Sequence, residues 1–379
     1  MANETNGLVL VLSGGGALAA YQVGFLRCIA KNFPGLRFHI MTGVSSGAIN
    51  AAFLANSNVN FSETVDELIQ IWRNLTIEQV FRVDTLNLVG HFLSWGASLV
   101  SGGIPKTYAK RGLVDTAPLR KFLSNVYQTK DGFLGGIERN LQKGNLKACA
   151  ITGTNYATGQ SLTWVQGKDI KLWERPLRRS QKTEITVDHI MASAALPLFF
   201  PAVQVGSRWY GDGGIRQFAP LSPAVHLGAD RILAISTRYQ QSMTEADVPA
   251  TQGYPPPVQI IGTLMNAVFL DVLEQDASAL YQINHLLDQI PAESRSPEPR
   301  RIKLFVLRPS VDLSTLAGKF EPILPPMFRF LTRGLGTRET ESSDWLSMTM
   351  FVPEYLEVLI KLGQTDAERH GDEITALFK

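Results

Sequence analysis

Gly7-Leu8-Val9-Leu10-Val11-Leu12-Ser13-Gly14-Gly15-Gly16 is an unbroken apolar run closed by a serine and three glycines. A strand with one face in water alternates apolar and polar residues, whereas a strand covered on both faces does not. The run over 7–12 therefore predicts a buried strand of a parallel sheet, followed by a helix over Ala17–Lys31. The unit repeats at Phe38–Val44, where Ser45-Ser46-Gly47 opens into a helix over Ala48–Ala55. Further strands are expected at Leu146–Thr152, Ser161–Val165, Arg231–Ser236 and Ile302–Leu307. Helices are expected at Val65–Arg73, Thr116–Val126, Val187–Ala194, Pro220–Leu227 and Val258–Leu287. This alternation predicts the α/β class, as a three-layer α/β/α sandwich around a mostly parallel sheet.

Composition narrows the function. Apolar residues make up 45% of the 379 and charged residues 18%, enough to build a large core. Lysine and arginine total 36 against 34 acidic residues, a net charge of +2. A balance that close argues against a nucleic-acid binder working by phosphate neutralisation. The basic run Arg175-Pro176-Leu177-Arg178-Arg179-Ser180-Gln181-Lys182 is expected to be a solvated loop. Cys28 and Cys149 stand among apolar neighbours and are expected in the core. The first residues lack the basic segment of a secretion signal, so a cytoplasmic location is the expectation. The expected organisation is a core over 8–238 and an extension over 239–379. That extension would add a strand near 302–307 and an amphipathic helical tail, with loops at Val248–Pro257 and Pro291–Arg300.

Three motifs carry chemistry. Gly14-Gly15-Gly16-Ala17-Leu18-Ala19 lies at a strand-to-helix turn, where free backbone N–H groups suit a phosphate or a developing oxyanion. A dinucleotide site would need an acidic residue about twenty positions on, but none occurs between Glu4 and Glu63. A P-loop would need Gly-Lys-Ser/Thr, which is absent. The second motif, Gly43-Val44-Ser45-Ser46-Gly47, is a G-x-S-x-G between a strand and a helix, the setting a nucleophile elbow requires. It centres on Ser45, so Ser46 is the weaker candidate. The third, Trp209-Tyr210-Gly211-Asp212-Gly213-Gly214, sets a carboxylate among glycines after a short strand. Alone an Asp-Gly-Gly is a turn; after the first two motifs it is the natural partner of the serine.

In that order, the motifs resemble the patatin-like phospholipase family, as does the linking stretch Ala192-Ser193-Ala194-Ala195-Leu196-Pro197-Leu198-Phe199-Phe200-Pro201. The resemblance spans roughly residues 8 to 214. It implies Ser45 as nucleophile, Asp212 as proton acceptor, and Gly14, Gly15 and Gly16 as the oxyanion hole. Gly43, Gly47, Gly213 and Gly214 flank the reacting residues. It implies hydrolysis of a phospholipid or other acyl ester with no cofactor and no metal. The chain departs from the family pattern at Leu18, where Arg or Lys is common, and at Ala19, where the motif has Gly. Those departures are expected to alter packing or preference, not to abolish the hole.

Other readings stay open. A Ser-Asp-His enzyme of the α/β-hydrolase type would use one of His226, His285 or His370, but only one βα unit precedes Ser45 here, where that fold has several strands. All six histidines, His39, His91 and His189 included, stand in ordinary contexts. An acyltransferase would share the acyl-enzyme, and a non-catalytic lipid- or nucleotide-binding protein could keep the fold. Thr85–Pro105, uncharged and bulky, is expected as a core helix, or as a lid or acyl-chain wall beside Ser45 holding Phe92 and Trp95. Pro325–Leu335 mixes basic and aromatic residues, as segments in peripheral membrane contact do, though core packing is the favoured expectation.

Overall fold

The computed structural model describes residues 7–82, 112–247, 254, 257–269, 271–291, 299–334 and 344–379. The strands are β1 (Leu8–Leu12), β2 (Ile40–Val44), β3 (Ala148–Asn155), β4 (Gln160–Gly167), β5 (Glu174–Arg175), β6 (Arg178–Lys182), β7 (Val203–Val205), β8 (Arg208–Asp212), β9 (Arg231–Ile235) and β10 (Lys303–Leu307). Among the described residues these ten form one sheet, ordered β10-β9-β1-β2-β3-β4-β6-β5, with β8 pairing β3 and β7 pairing β8. From β10 to β3 every neighbour is parallel, and β3 meets β4 and β8 antiparallel.

Why β1 reads as continuously apolar is plain from its surroundings. Leu8, Leu10 and Leu12 point into one core, packed by α1 (Ala19–Asn32), α2 (Ser46–Asn56), α3 (Phe61–Arg73) and the helix Pro353–Arg369. Val9 and Val11 point into a second core with Leu221, Ala224 and Leu227 of one helical segment and Leu273 and Ala277 of another. Successive strand side chains alternate between faces, so helices on both sides of the sheet leave no β1 residue in water. The result is the three-layer α/β/α sandwich. Tyr21 of α1 donates to the buried carboxylate of Asp366 at 3.1 Å, tying the helix Pro353–Arg369 to α1.

Two segments differ from the expectation, and three lie wholly or mostly outside the described residues. The run Val258–Leu287 is two helices, Pro257–Phe269 and Val272–Gln289. Arg175–Lys182 is not a loop: it supplies the end of β5 and all of β6, at the sheet edge. The outermost strand is β5, whose exposed Glu174 and Arg175 put charge on the open edge and blunt further strand pairing. Thr85–Pro105 lies outside the described residues, as does most of Val248–Pro257 and of Pro291–Arg300. Pro326–Gly334 is a helix whose Phe328 is buried against Phe81, while Phe330 is 70% exposed. Among the described residues no helix is long and apolar enough to cross a membrane.

Candidate active site

Ser45 occupies the single-residue turn between β2 and α2, with φ 54° and ψ −133°. Positive φ is uncommon for a residue with a Cβ and costs on the order of 1–3 kcal/mol, so the surroundings must hold it. The flanking glycines permit the turn. A Cβ on Gly47 would lie 2.3 Å from the carbonyl oxygens of Leu12 and Ser13, and one on Gly43 would lie 2.5 Å from the Gly47 carbonyl. Ser46 begins α2, and its buried hydroxyl has no hydrogen-bond partner among the described residues.

Asp212 reaches Ser45 through the register of β3. The first part of β3 pairs β2, ending with Thr152 opposite Val44. The next residue, Gly153, pairs Asp212 at the end of β8. The strand that stops pairing before Ser45 thus takes up the strand that carries the carboxylate. Ser45 Oγ donates to Asp212 Oδ2 at 2.5 Å, and the Gly214 N–H donates to Oδ1 at 2.9 Å. Gly213 and Gly214 form the buried 3-10 turn that aims this N–H. Asp212 has no exposed surface. Burial pushes its carboxyl up from the ordinary 3.8 to about 7, against the lowering by the hydrogen bonds from Ser45 and Gly214.

The glycine loop abuts the serine: a Cβ on Gly14 would lie 2.8 Å from Ser45 Cβ. Gly15 and Gly16 have φ of 139° and 59°, conformations that free the chain to turn from β1 into the following helix. Among the described residues no protein acceptor takes the N–H of Gly14 or Gly15.

The described histidines play no part in this cluster. His189 caps its helix through Thr186 and packs on Trp164, and burial takes its imidazole down to about 4. His226 stacks on Trp173, His285 pairs with Gln289, and His370 with Glu373. None is a hydrogen-bond partner of Ser45 or Asp212. His91 lies outside the described residues.

Two polar residues without an expected role join the site. Ser193 Oγ accepts the Ser45 N–H at 3.0 Å and donates to the Thr152 carbonyl at 2.7 Å. Thr154 Oγ1 donates to the Asp212 carbonyl at 2.8 Å. The sequence signal for Ser193 was a lone hydroxyl amid small apolar residues.

Beside Ser45 lies a narrow apolar cleft of about 50 Å³, lined among others by Ile49, Trp72, Leu123, Leu196 and Phe200. Two roomier clefts, of about 300 and 410 Å³, meet at Asn58 and do not include Ser45. A serine hydroxyl hydrogen-bonded to a carboxylate that titrates near neutrality, next to free N–H groups and an apolar wall, has the parts of a nucleophile with its base.

Residues 10–225 match the family model described as patatin-like phospholipase. No curated protein matches the chain. Among solved structures, VipD from Legionella pneumophila is 11% identical, with 97% of this chain and 67% of that one covered and a TM-score of 0.40. Human GIVD cytosolic phospholipase A2 is 12% identical, covering 98% of this chain and 62% of its own, at 0.46. The type III effector ExoU of Pseudomonas aeruginosa is 15% identical, covering 96% and 52%, at 0.37. The chain thus spans between about half and two thirds of the length of these three structures.

Proposed function

The chain belongs to the patatin-like phospholipase family, and from that membership we propose that it is a lipid acyl hydrolase working through Ser45 and Asp212. The observation that carries the reading is the 2.5 Å contact between Ser45 Oγ and the buried Asp212 carboxylate. Ser45 Oγ attacks the ester carbonyl carbon as its proton passes to Asp212 Oδ2. The carbonyl oxygen takes up negative charge against the N–H groups of the Gly14–Gly16 loop. Collapse breaks the bond to the leaving oxygen, which takes the proton from Asp212, and the acyl group stays on Ser45. A water molecule then repeats the sequence, giving its proton to Asp212 and releasing the acid. An Asp titrating near 7 suits both directions of that proton transfer at neutral pH. The apolar cleft beside Ser45 favours an acyl chain over a polar substituent.

The experiment is a fluorophosphonate probe with peptide mapping, run beside fatty-acid release from a panel of phospholipids and simpler esters. Ser45 is expected to carry the label. Ser45→Ala loses both label and hydrolysis, and Ser46→Ala keeps the label. Labelling of another residue would remove the serine assignment, and transfer of the acyl group to an alcohol in preference to water would make the enzyme an acyltransferase.

A further inference from the structure

Two peptide planes of the glycine loop are each held by a side chain distant in sequence. The Ser13 carbonyl accepts from Gln22 Nε2 at 2.7 Å, and the Gly14 carbonyl accepts from Thr237 Oγ1 at 2.7 Å. In a trans peptide the N–H points opposite to the C=O. Fixing these two carbonyls therefore fixes the direction of the Gly14 and Gly15 N–H groups, neither of which meets a protein acceptor among the described residues. Gln22 and Thr237 are 0% and 2% exposed, so water does not compete for either bond.

The Gln22 arm has a built-in polarity. Trp72 Nε1 can only donate, and it donates to Asn50 Oδ1 at 2.8 Å. That leaves Asn50 Nδ2 to donate to Gln22 Oε1 at 3.1 Å and to the Ala19 carbonyl at 3.2 Å. Gln22 must then present its Nε2 to Ser13. Flipping either amide would set oxygen against oxygen or donor against donor inside the core, at about 1–3 kcal/mol for each buried group left unpaired. The indole that starts this chain also lines the apolar cleft beside Ser45.

We propose that Gln22 and Thr237 are positioning residues that turn the two loop carbonyls away and so aim the Gly14 and Gly15 N–H groups at the substrate oxygen, with Trp72 fixing the direction of the Gln22 arm through Asn50. The inference rests on the serine reading above and deepens it. It makes the oxyanion hole a property of buried side chains on α1 and after β9 as well as of the glycines.

The test is the rate at which a fluorophosphonate labels Ser45 in the full chain, because the phosphonyl oxygen draws on the same N–H groups as an ester. Thr237→Val and Gln22→Met keep size and lose the donor. Each is expected to slow labelling about tenfold to a hundredfold, somewhat less than outright loss of an oxyanion donor. Thr237→Ser restores the rate, and Trp72→Phe slows it in the same direction but less. The midpoint of the pH–rate profile stays at the wild-type value, since Asp212 is untouched; a shifted midpoint would mean a disordered site and overturn the inference. Thermal melts confirm folding, and should Gln22→Met unfold, Thr237→Val decides alone. Wild-type rates in folded Thr237→Val overturn this inference by itself when Ser45→Ala is unlabelled. Labelling that survives in Ser45→Ala overturns the serine reading and this inference with it.

Discussion

The hydroxyl of Ser193 holds Ser45 by its backbone, accepting its N–H at 3.0 Å across 148 positions of sequence. The same hydroxyl donates to Thr152, so the elbow, the β3 strand and the helix Val187–Ser193 meet at one atom. Ser193→Ala leaves a buried N–H and relieves a buried C=O of its donor. The expected loss is about 1–3 kcal/mol, read as a lower urea midpoint with unchanged slope. Because Ser45 sits at positive φ, its hydroxyl should also drift from Asp212, and the labelling rate should fall. A variant as stable and as reactive as wild type would show that the strained turn holds itself.

In the proposed reaction Asp212 sets the pH dependence. Its carboxyl titrates near 7, and only the ionised form can take the serine proton. Activity at limiting substrate should rise through a midpoint within about one unit of 7 and level off above it. A midpoint near 4 would mean that water reaches the carboxylate in solution.

Much of this was readable from residues in a row. The run over 7–12, the glycine triplet and the G-x-S-x-G report local demands: burial on two faces, a turn into a helix, a sharp elbow. What stayed hidden depends on partners far apart. Thr237 and Gly14 are 223 positions apart, and nothing local marks Thr237 as more than the residue after a strand. The antiparallel join of β8 to β3, which brings Asp212 to Ser45, is a fact of register that motif order hints at without specifying. The strand Arg178–Lys182 escaped because it has no apolar residue to show a strand's alternation, lying beside the sheet's last strand. The division of Val258–Leu287 into two helices had no glycine or proline at the break to announce it.

The same burial that tunes Asp212 costs stability. Unfolded, the carboxyl titrates near its ordinary 3.8; folded, near 7. Between those values the native state holds a proton that the unfolded state has lost, so stability falls as pH rises from about 4 to about 7. Above 7 the full deficit, a few kcal/mol, is present. Asp212→Asn removes the charge and can keep both contacts, its oxygen accepting from Gly214 and its amide donating to Ser45. The variant should be inactive yet more stable than wild type at pH 8, with the difference vanishing near pH 4. Urea midpoints at the two pH values measure it, and an equal difference at both would show that the carboxyl is not perturbed in the native state.

The apolar cleft should govern acyl-chain preference, and Ile49 is the place to ask. It stands on α2, one turn beyond the elbow, and lines the cleft beside Ser45. At about 50 Å³ the space is small, so one added ring should exclude several methylenes. Each methylene denied burial forfeits about 0.8 kcal/mol, or roughly fourfold in kcat/KM. Ile49→Phe should therefore leave an acetyl ester nearly unaffected while the penalty grows with each added carbon, until the chain outruns the cleft. Ile49→Ala should do the reverse, raising the longer esters relative to acetyl. A chain-length series on both variants, with melting temperatures alongside, separates this from core damage. Equal losses at every length, with a lowered melting temperature, would make the cleft a packing defect and move the acyl site elsewhere.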